Sequence, residues 1–416
     1  MFQTDKLRAL ESAATVYGGV FMKTDMARRN FMARLAVVLG YAGLAPLELS
    51  AQARGRQRKA AAAKAAPDPK KIDYDKLVKL ANNENPYGPS QTVMKAMTDA
   101  WKYANRYGYP DGGIVDAIAE LHGVEKENVV LGCGSSEILK IVDDAFLPDH
   151  KLVIGAEPTY ETVYRYATNS KARSIAIPLT EDYQADMKAI IRAAKLNARD
   201  AGLVYICNPN NPTGAIVPKH DIKLLLDSIP EDIPVLIDEA YHHFVDDPNY
   251  ETSIKYVLEG RKVMVARTFS KIAGLAGMRL GYAIAPAEII EQLAPLVVSY
   301  NTNAVVKYGG VASLKDTAYE AKMKQLNKQV RDKTTSELKA MGYEVIPSQT
   351  NFFMVNIKRD VTQVGDEFLQ KGLLVGRKFP PMNDWLRVSV GTEEEMSRFM
   401  KAFKEIAAQK TTQSKA

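Results

Sequence analysis

Short apolar runs recur through the middle of the chain, and each one stops in a polar cluster. Glu127–Leu131, Lys151–Ile154, Ser174–Ile177, Leu203–Ile206, Pro234–Ile237 and Val263–Ala266 have strand length, and most show no alternation of wet and dry faces. Between two of them, Ala185–Leu196 carries helical periodicity. Buried strands alternating with helices specify an α/β fold, a mostly parallel sheet covered on both faces. In such sheets ligands gather outside the carboxyl ends of the strands. The clusters that end the runs are therefore where chemistry is expected.

The run Val263–Ala266 leads into Arg267-Thr268-Phe269-Ser270-Lys271 and then the glycine-rich stretch to Gly277-Met278-Arg279-Leu280-Gly281-Tyr282. A lysine at the end of a buried strand is costly unless it is paired or chemically used. Kept neutral, it is an amine nucleophile toward carbonyls. Thr268, Ser270 and Arg279 supply hydroxyl and guanidinium donors suited to a phosphate. A lysine amine beside a phosphate cup is what a pyridoxal phosphate site requires. An incidental surface Lys/Arg pair is the alternative.

Other strand ends carry compatible groups. Gly132-Cys133-Gly134-Ser135-Ser136-Glu137 lies between a strand and a helix, the layout of a phosphate-binding helix N-terminus, although a capped helix without ligand has the same sequence. The dinucleotide G-x-G-x-x-G spacing is absent. Tyr160 follows the Lys151–Ile154 strand, and Asn211 is fixed between Pro209 and Pro212 in Asn208–Gly214. Asp238 closes the Pro234–Ile237 run; a buried carboxylate there needs a partner, either a protonated pyridine nitrogen or the start of the next helix. Tyr241 is three residues further on. The polar turn Leu80–Ser90, centred on Tyr87, suits a substrate-lining loop, and Asn105–Gly113 is a second such cluster.

With 55 Lys and Arg against 49 Asp and Glu, the net charge of +6 is small for 416 residues, and no basic-aromatic stripe indicates nucleic acid. Cys133 and Cys207 cannot form a disulfide framework and read as small buried hydrophobes. His242 and His243 lack a spaced ligand partner, so no metal is expected.

After Tyr282 the reading is a strand at Ala283–Ala285 and helices over Glu288–Val298 and Val305–Met341, the latter long and kinked. Glu344–Ile346, Phe352–Val355 and Leu386–Val390 read as strands of a smaller α+β domain, with helices at Thr362–Lys371 and Glu393–Ala408. Arg377 and Arg387 stand out there. A strand arginine is usually a solvated edge residue, but near a cleft it makes a bidentate carboxylate clamp.

The front of the chain differs. Arg28-Arg29, then Leu35–Ala45 and the small-x-small Ala51-Gln52-Ala53, resemble a twin-arginine export signal. The apolar run is short for a permanent membrane span, and a bare extension with an accidental Arg-Arg is the alternative. Residues 54–75 read as a linker. The expected division is a signal over 1–53, the linker, an N-terminal arm over 76–105, a large domain over 106–315 and a small domain over 316–410. The export route carries folded proteins, which fits a cofactor enzyme loaded in the cytoplasm and working in the periplasm.

Six motifs in this order resemble the fold-type I pyridoxal phosphate aminotransferases of class I/II, in the histidinol-phosphate aminotransferase branch. They are Asn83–Pro89, Asn210–Gly214, Asp238–Tyr241, Thr268–Lys271, Gly277–Gly281 and Leu386–Gly391. The resemblance runs from about Leu77 to the C-terminus. It implies a seven-stranded, mostly parallel sheet and transfer of an amino group from an amino acid to a 2-oxo acid by a ping-pong route. Lys271 is then the Schiff-base lysine and Asp238 the partner of the pyridine nitrogen. Asn211 and Tyr241 face the ring oxygen, and Tyr160 stacks on the ring. Ser135, Ser136, Thr268, Ser270 and Arg279 hold the phosphate. Arg387 binds the substrate carboxylate, and Arg377 is the branch's second arginine. A homodimer is also implied, in which a partner tyrosine reaches the phosphate. Tyr109 keeps the Tyr-Pro step of that motif; Tyr107 remains open. A lyase or decarboxylase on the same fold would keep Lys271 and Asp238.

Overall fold

The computed structural model describes residues 73–413, apart from 109, 149, 170 and 171. The twin-arginine segment, most of the linker and Tyr109 lie outside the described residues. In chain order the elements are β1 (Val78–Leu80), α1 (Gln91–Ala100), α2 (Ile114–His122), β2 (Val129–Gly132), α3 (Ser135–Phe146), β3 (Leu152–Glu157), α4 (Thr162–Asn169), β4 (Arg173–Pro178), α5 (Met187–Leu196), β5 (Ala201–Cys207), α6 (Lys219–Ser228), β6 (Val235–Asp238), α7 (Ile254–Leu258), β7 (Val263–Thr268), β8 (Gly281–Ile284) and α8 (Ala287–Leu293). They continue with α9 (Ala304–Lys315), α10 (Thr317–Ala340), β9 (Val345–Ile346), β10 (Phe352–Asn356), α11 (Val361–Gln370), β11 (Leu373–Val375), β12 (Trp385–Ser389) and α12 (Glu393–Gln413).

The large sheet has seven strands in the order β2-β8-β7-β6-β5-β3-β4. Only β8 runs antiparallel to its neighbours. Every residue of β5, β6 and β7 is buried. This explains their continuous apolar sequences: helices cover both faces, so no position is left for a polar alternate. One core cluster lies on each side of this sheet.

A third cluster belongs to the C-terminal part, where β12-β10-β9 form an antiparallel sheet backed by α10, α11 and α12. Val78 and Leu80 join that cluster although they lie at the front of the described chain, because β1 pairs in parallel with β11. Neither strand was expected. At three residues each, they are too short for a periodicity signal to stand out.

Two other boundaries differ from expectation. The segment Lys126–Asn128 is a 3-10 turn, and β2 starts only at Val129. The long helix expected over Val305–Met341 is two helices. Asp316 leaves helical geometry at φ −91°, ψ 60° and caps α10 by accepting from the Tyr319 N–H. An internal Asp is a poor helix residue because its carboxylate competes for backbone N–H groups. No helix among the described residues is long and apolar enough to cross a membrane.

Candidate active site

Tyr160, Asn211, Asp238, Tyr241, Thr268, Ser270 and Lys271 all lie at or just beyond the carboxyl ends of β3, β5, β6 and β7. With Ser135, Ser136, Arg279, Arg377 and Arg387 they line one cleft of about 410 Å³. The sheet order places β6 and β7 side by side, so Asp238 and Lys271 emerge from adjacent strands.

At one end is a cup of donors. The N-cap of α3 is Gly134, which offers no side-chain cap, so Ser135 and Ser136 open the helix with backbone N–H groups free for an anion. Gly134 has φ +75°, and a Cβ there would collide with the Arg279 guanidinium. Arg279 donates to Ser270 Oγ at 3.2 Å and to the Ala276 carbonyl at 2.9 Å. Thr268 Oγ1 accepts from the Ser270 N–H at 3.1 Å. Glu137, quoted in the Gly132–Glu137 motif but given no role there, steadies the turn by accepting from the Cys133 N–H at 2.6 Å.

Asp238 forms the floor at 2% exposure. It accepts from the Ala240 N–H at 3.1 Å and from the Tyr205 hydroxyl at 3.5 Å. No cation of the described residues pairs with it. Burial raises its pKa to about 6, against the Ala240 N–H and Lys271, which favour the charged form. Cys207, its register partner on β5, is buried as expected. A buried carboxylate facing a cleft without a cation fits a protonated ring nitrogen.

Lys271 Nζ donates to the Asn82 carbonyl at 3.1 Å and lies 5.5 Å from the centre of the Tyr241 ring. Burial, then the charge of Arg387, lowers its pKa to about 8; Glu84 and Asp238 oppose this. A sizeable neutral fraction near neutral pH is what an amine nucleophile needs. Asn83 donates to the Tyr241 hydroxyl at 2.9 Å and adopts φ +56°. It is held there by Ser389, which accepts from its N–H and donates to its Oδ1. Asn83 lay in the quoted Leu80–Ser90 cluster; its tie to Ser389 left no sequence signal.

Arg387 belongs to the edge strand β12, yet it is only 7% exposed. It is not the solvated edge residue that a strand arginine usually is, because the side chain turns into the cleft, between Phe352 and Phe379. Its two Nη atoms donate to Asn211 Oδ1 at 2.6 Å and to the Ala81 carbonyl at 2.5 Å, and its Nε has no partner. With Oδ1 engaged, Asn211 keeps its Nδ2 donor for the cleft. Tyr87 is not brought to the cleft: it is 42% exposed and borders a separate small cavity with Phe244 and Met323.

The donor cup, the unpaired acid floor and the depressed amine together fit pyridoxal phosphate. Compared with known proteins, residues 75–403 match the family described as aminotransferase class I and II. A histidinol-phosphate aminotransferase of Moorella thermoacetica is 37% identical over 339 residues, covering 80% of this chain and 86% of that protein. A solved structure from Erwinia carotovora atroseptica, described as a histidinol-phosphate aminotransferase, superposes with a TM-score of 0.78 at 29% identity, over 81% of this chain and 98% of that one. The histidinol-phosphate aminotransferase of Sinorhizobium meliloti in complex with pyridoxal-5'-phosphate shares the fold at a TM-score of 0.74 and 24% identity, over 80% and 90% of the two chains. The chain belongs to the class I and II aminotransferases, in the branch resembling histidinol-phosphate aminotransferases. It is a transaminase, and its cofactor is pyridoxal 5'-phosphate.

Proposed function

We propose that the residues of this cleft divide the work of transamination as follows. Lys271 would carry the cofactor and take up and return the proton at the substrate Cα. Asp238 holds the pyridine nitrogen protonated. Asn211 and Tyr241 hydrogen-bond the ring oxygen, and Tyr160 covers the ring face. Ser135, Ser136, Thr268, Ser270 and Arg279 anchor the phosphate. Arg387 receives the substrate carboxylate or its counterpart, with Arg377 beyond it. The bound cofactor supplies an electron sink for charge that develops at Cα. The observation that carries this reading is the pair of adjacent strand ends, one bearing a depressed amine and the other an unpaired buried acid.

The donor is an amino acid or an amine resembling histidinol phosphate, and the acceptor is a 2-oxo acid. A panel of donors, histidinol phosphate and aromatic amino acids among them, with 2-oxoglutarate tests this. Conversion of the cofactor to its amine form is the expected result. Release of CO₂ or ammonia without that conversion would instead favour the lyase or decarboxylase reading.

A homodimer is part of the proposal. Trp101, Tyr107, Val298 and Tyr300 are exposed, and the rings of Tyr107 and Tyr300 lie 5.4 Å apart. An exposed aromatic pair of this kind suits an interface, from which Tyr109 or Tyr107 would reach the partner's phosphate. Light scattering should give twice the chain mass. The Arg28-Arg29 segment is proposed to direct periplasmic export; replacing both arginines with lysine should hold the protein in the cytoplasm.

A further inference from the structure

The two arginines of the cleft are not electrically equivalent. Arg387 is buried and has no carboxylate partner among the described residues. Arg377 carries its own anion: Nη2 donates to Glu161 Oε1 at 2.8 Å, and both side chains are about half exposed. The two guanidinium groups lie against the same ring, that of Phe379, at 4.7 and 4.2 Å from its centre. Glu161 directly follows Tyr160 in the connection after β3, whereas Arg377 follows β11. The ion pair therefore joins the connection after β3 to the segment after β11, and its arginine lines the cleft together with Phe379.

We infer that Glu161 is a specificity-determining residue. Its carboxylate occupies the distal arginine, so the site favours substrates that bring one anion to Arg387 and a neutral, hydrogen-bonding or aromatic distal group to the Arg377–Glu161 pair. This rests on reading the cleft as the transaminase substrate site. A substrate with a second anion finds Arg377 already neutralised. It must displace the Glu161 carboxylate and then lie beside a like charge, which is how an interface discriminates by repulsion. Exposed ion pairs are weak, so displacement is feasible. The expected effect is a handicap for dianions and not their exclusion. For a singly charged substrate the pair stays closed and offers the distal group both donors and an acceptor beside the Phe379 ring.

The test uses the full chain loaded with cofactor and two unreactive probes, glutarate with two carboxylates and 3-phenylpropanoate with one carboxylate and a ring. By titration calorimetry, Glu161→Gln should tighten glutarate by roughly 3–5-fold, the upper end of what one exposed charge contributes. It should leave 3-phenylpropanoate within about twofold. The gain for glutarate should shrink as salt is raised. Arg377→Gln, which leaves Glu161 unneutralised, should weaken glutarate binding. Unchanged glutarate affinity in Glu161→Gln, or an equal change for both probes, overturns the inference. Amino transfer by the unaltered chain across the donor panel is measured in parallel. Its absence with every donor counts against the cleft as the transaminase site, while its presence with unchanged glutarate affinity in the variant counts against Glu161 alone.

Discussion

Arg387 Nη1 donates to Asn211 Oδ1 at 2.6 Å, joining β12 of the small sheet to the loop after β5 of the large one. One contact thus fixes the residue proposed to hold the substrate anion relative to the residue proposed to hold the ring oxygen. On that proposal, a hydrogen bond between two protein side chains would set the geometry between substrate and cofactor. Small displacements there are costly to catalysis.

Arg387→Lys tests this coupling. A lysine ammonium cannot serve Asn211, the Ala81 carbonyl and a substrate carboxylate together, because it lacks the planar fork. KM for an amino-acid donor should rise by about 10–100-fold with a smaller change in kcat, equivalent to losing one or two charge-assisted hydrogen bonds. Steady-state kinetics would show it, and an unaltered KM would refute it.

Gly134→Ala should disable the anion cup. The residue sits at φ +75° and its new Cβ would push the Arg279 guanidinium out of place. Cofactor affinity, followed by fluorescence quenching, should fall at least about tenfold, the loss of one charge-assisted contact. The cofactor-free chain should lose roughly 1–3 kcal/mol, the cost of a side chain at φ +75°, ψ +164°, a backbone region that essentially only glycine adopts. Unchanged affinity would mean that Arg279 is not set by this close approach.

The strand ends of the site were legible in the sequence, and the contacts between distant segments were not. Asp238 and Lys271 follow continuous apolar runs, and a charge at the end of a buried strand is conspicuous because burial makes it costly. Arg387 was legible as a candidate but its burial was not, since its partners Ala81 and Asn211 lie 306 and 176 positions away. The same holds for Asn83 with Ser389 and for Glu161 with Arg377. The β1–β11 pair escaped because three-residue strands hold too few positions for a period. Tyr87 was placed by its neighbours in a polar turn, yet the turn presents Asn82, Asn83 and Glu84 to the cleft instead.

The pKa of Lys271 gives a pH prediction. Burial lowers it from 10.5 to about 8. Cofactor attachment needs the neutral amine, so its bimolecular rate should rise about tenfold per pH unit below 8 and level off above it. For the cofactor-free chain, the folded state binds fewer protons than the unfolded state between about 8 and 10.5. This group's contribution to stability therefore rises with pH across that window. Stopped-flow absorbance after mixing with cofactor measures the rate. A profile still climbing at pH 10 would contradict the lowered value.

Beneath the site, Arg267 and Glu239 form a buried ion pair at 2.8 Å, one residue from Thr268 and from Asp238. Glu239 is 0% exposed and also accepts from Thr252 Oγ1 at 2.8 Å and the Ser253 N–H at 2.7 Å. Glu239→Leu should destabilise the chain by about 3–5 kcal/mol, because it strands a buried guanidinium. Arg267→Met combined with it should recover much of that loss. Denaturant unfolding of the three variants checks the cycle, and additive losses would exclude direct coupling.

Everything proposed for the cleft depends on Lys271 being the amine that binds the cofactor and performs the transfer. Borohydride reduction of the cofactor-loaded chain followed by peptide mass spectrometry tests it most directly, with Lys271→Ala as the comparison. The unaltered chain should carry a cofactor adduct on its Lys271 peptide. Lys271→Ala should show neither that adduct nor the cofactor's lysine-linked absorbance nor amino transfer. An adduct on another lysine, or a Lys271→Ala protein that keeps its absorbance and turnover, would contradict it.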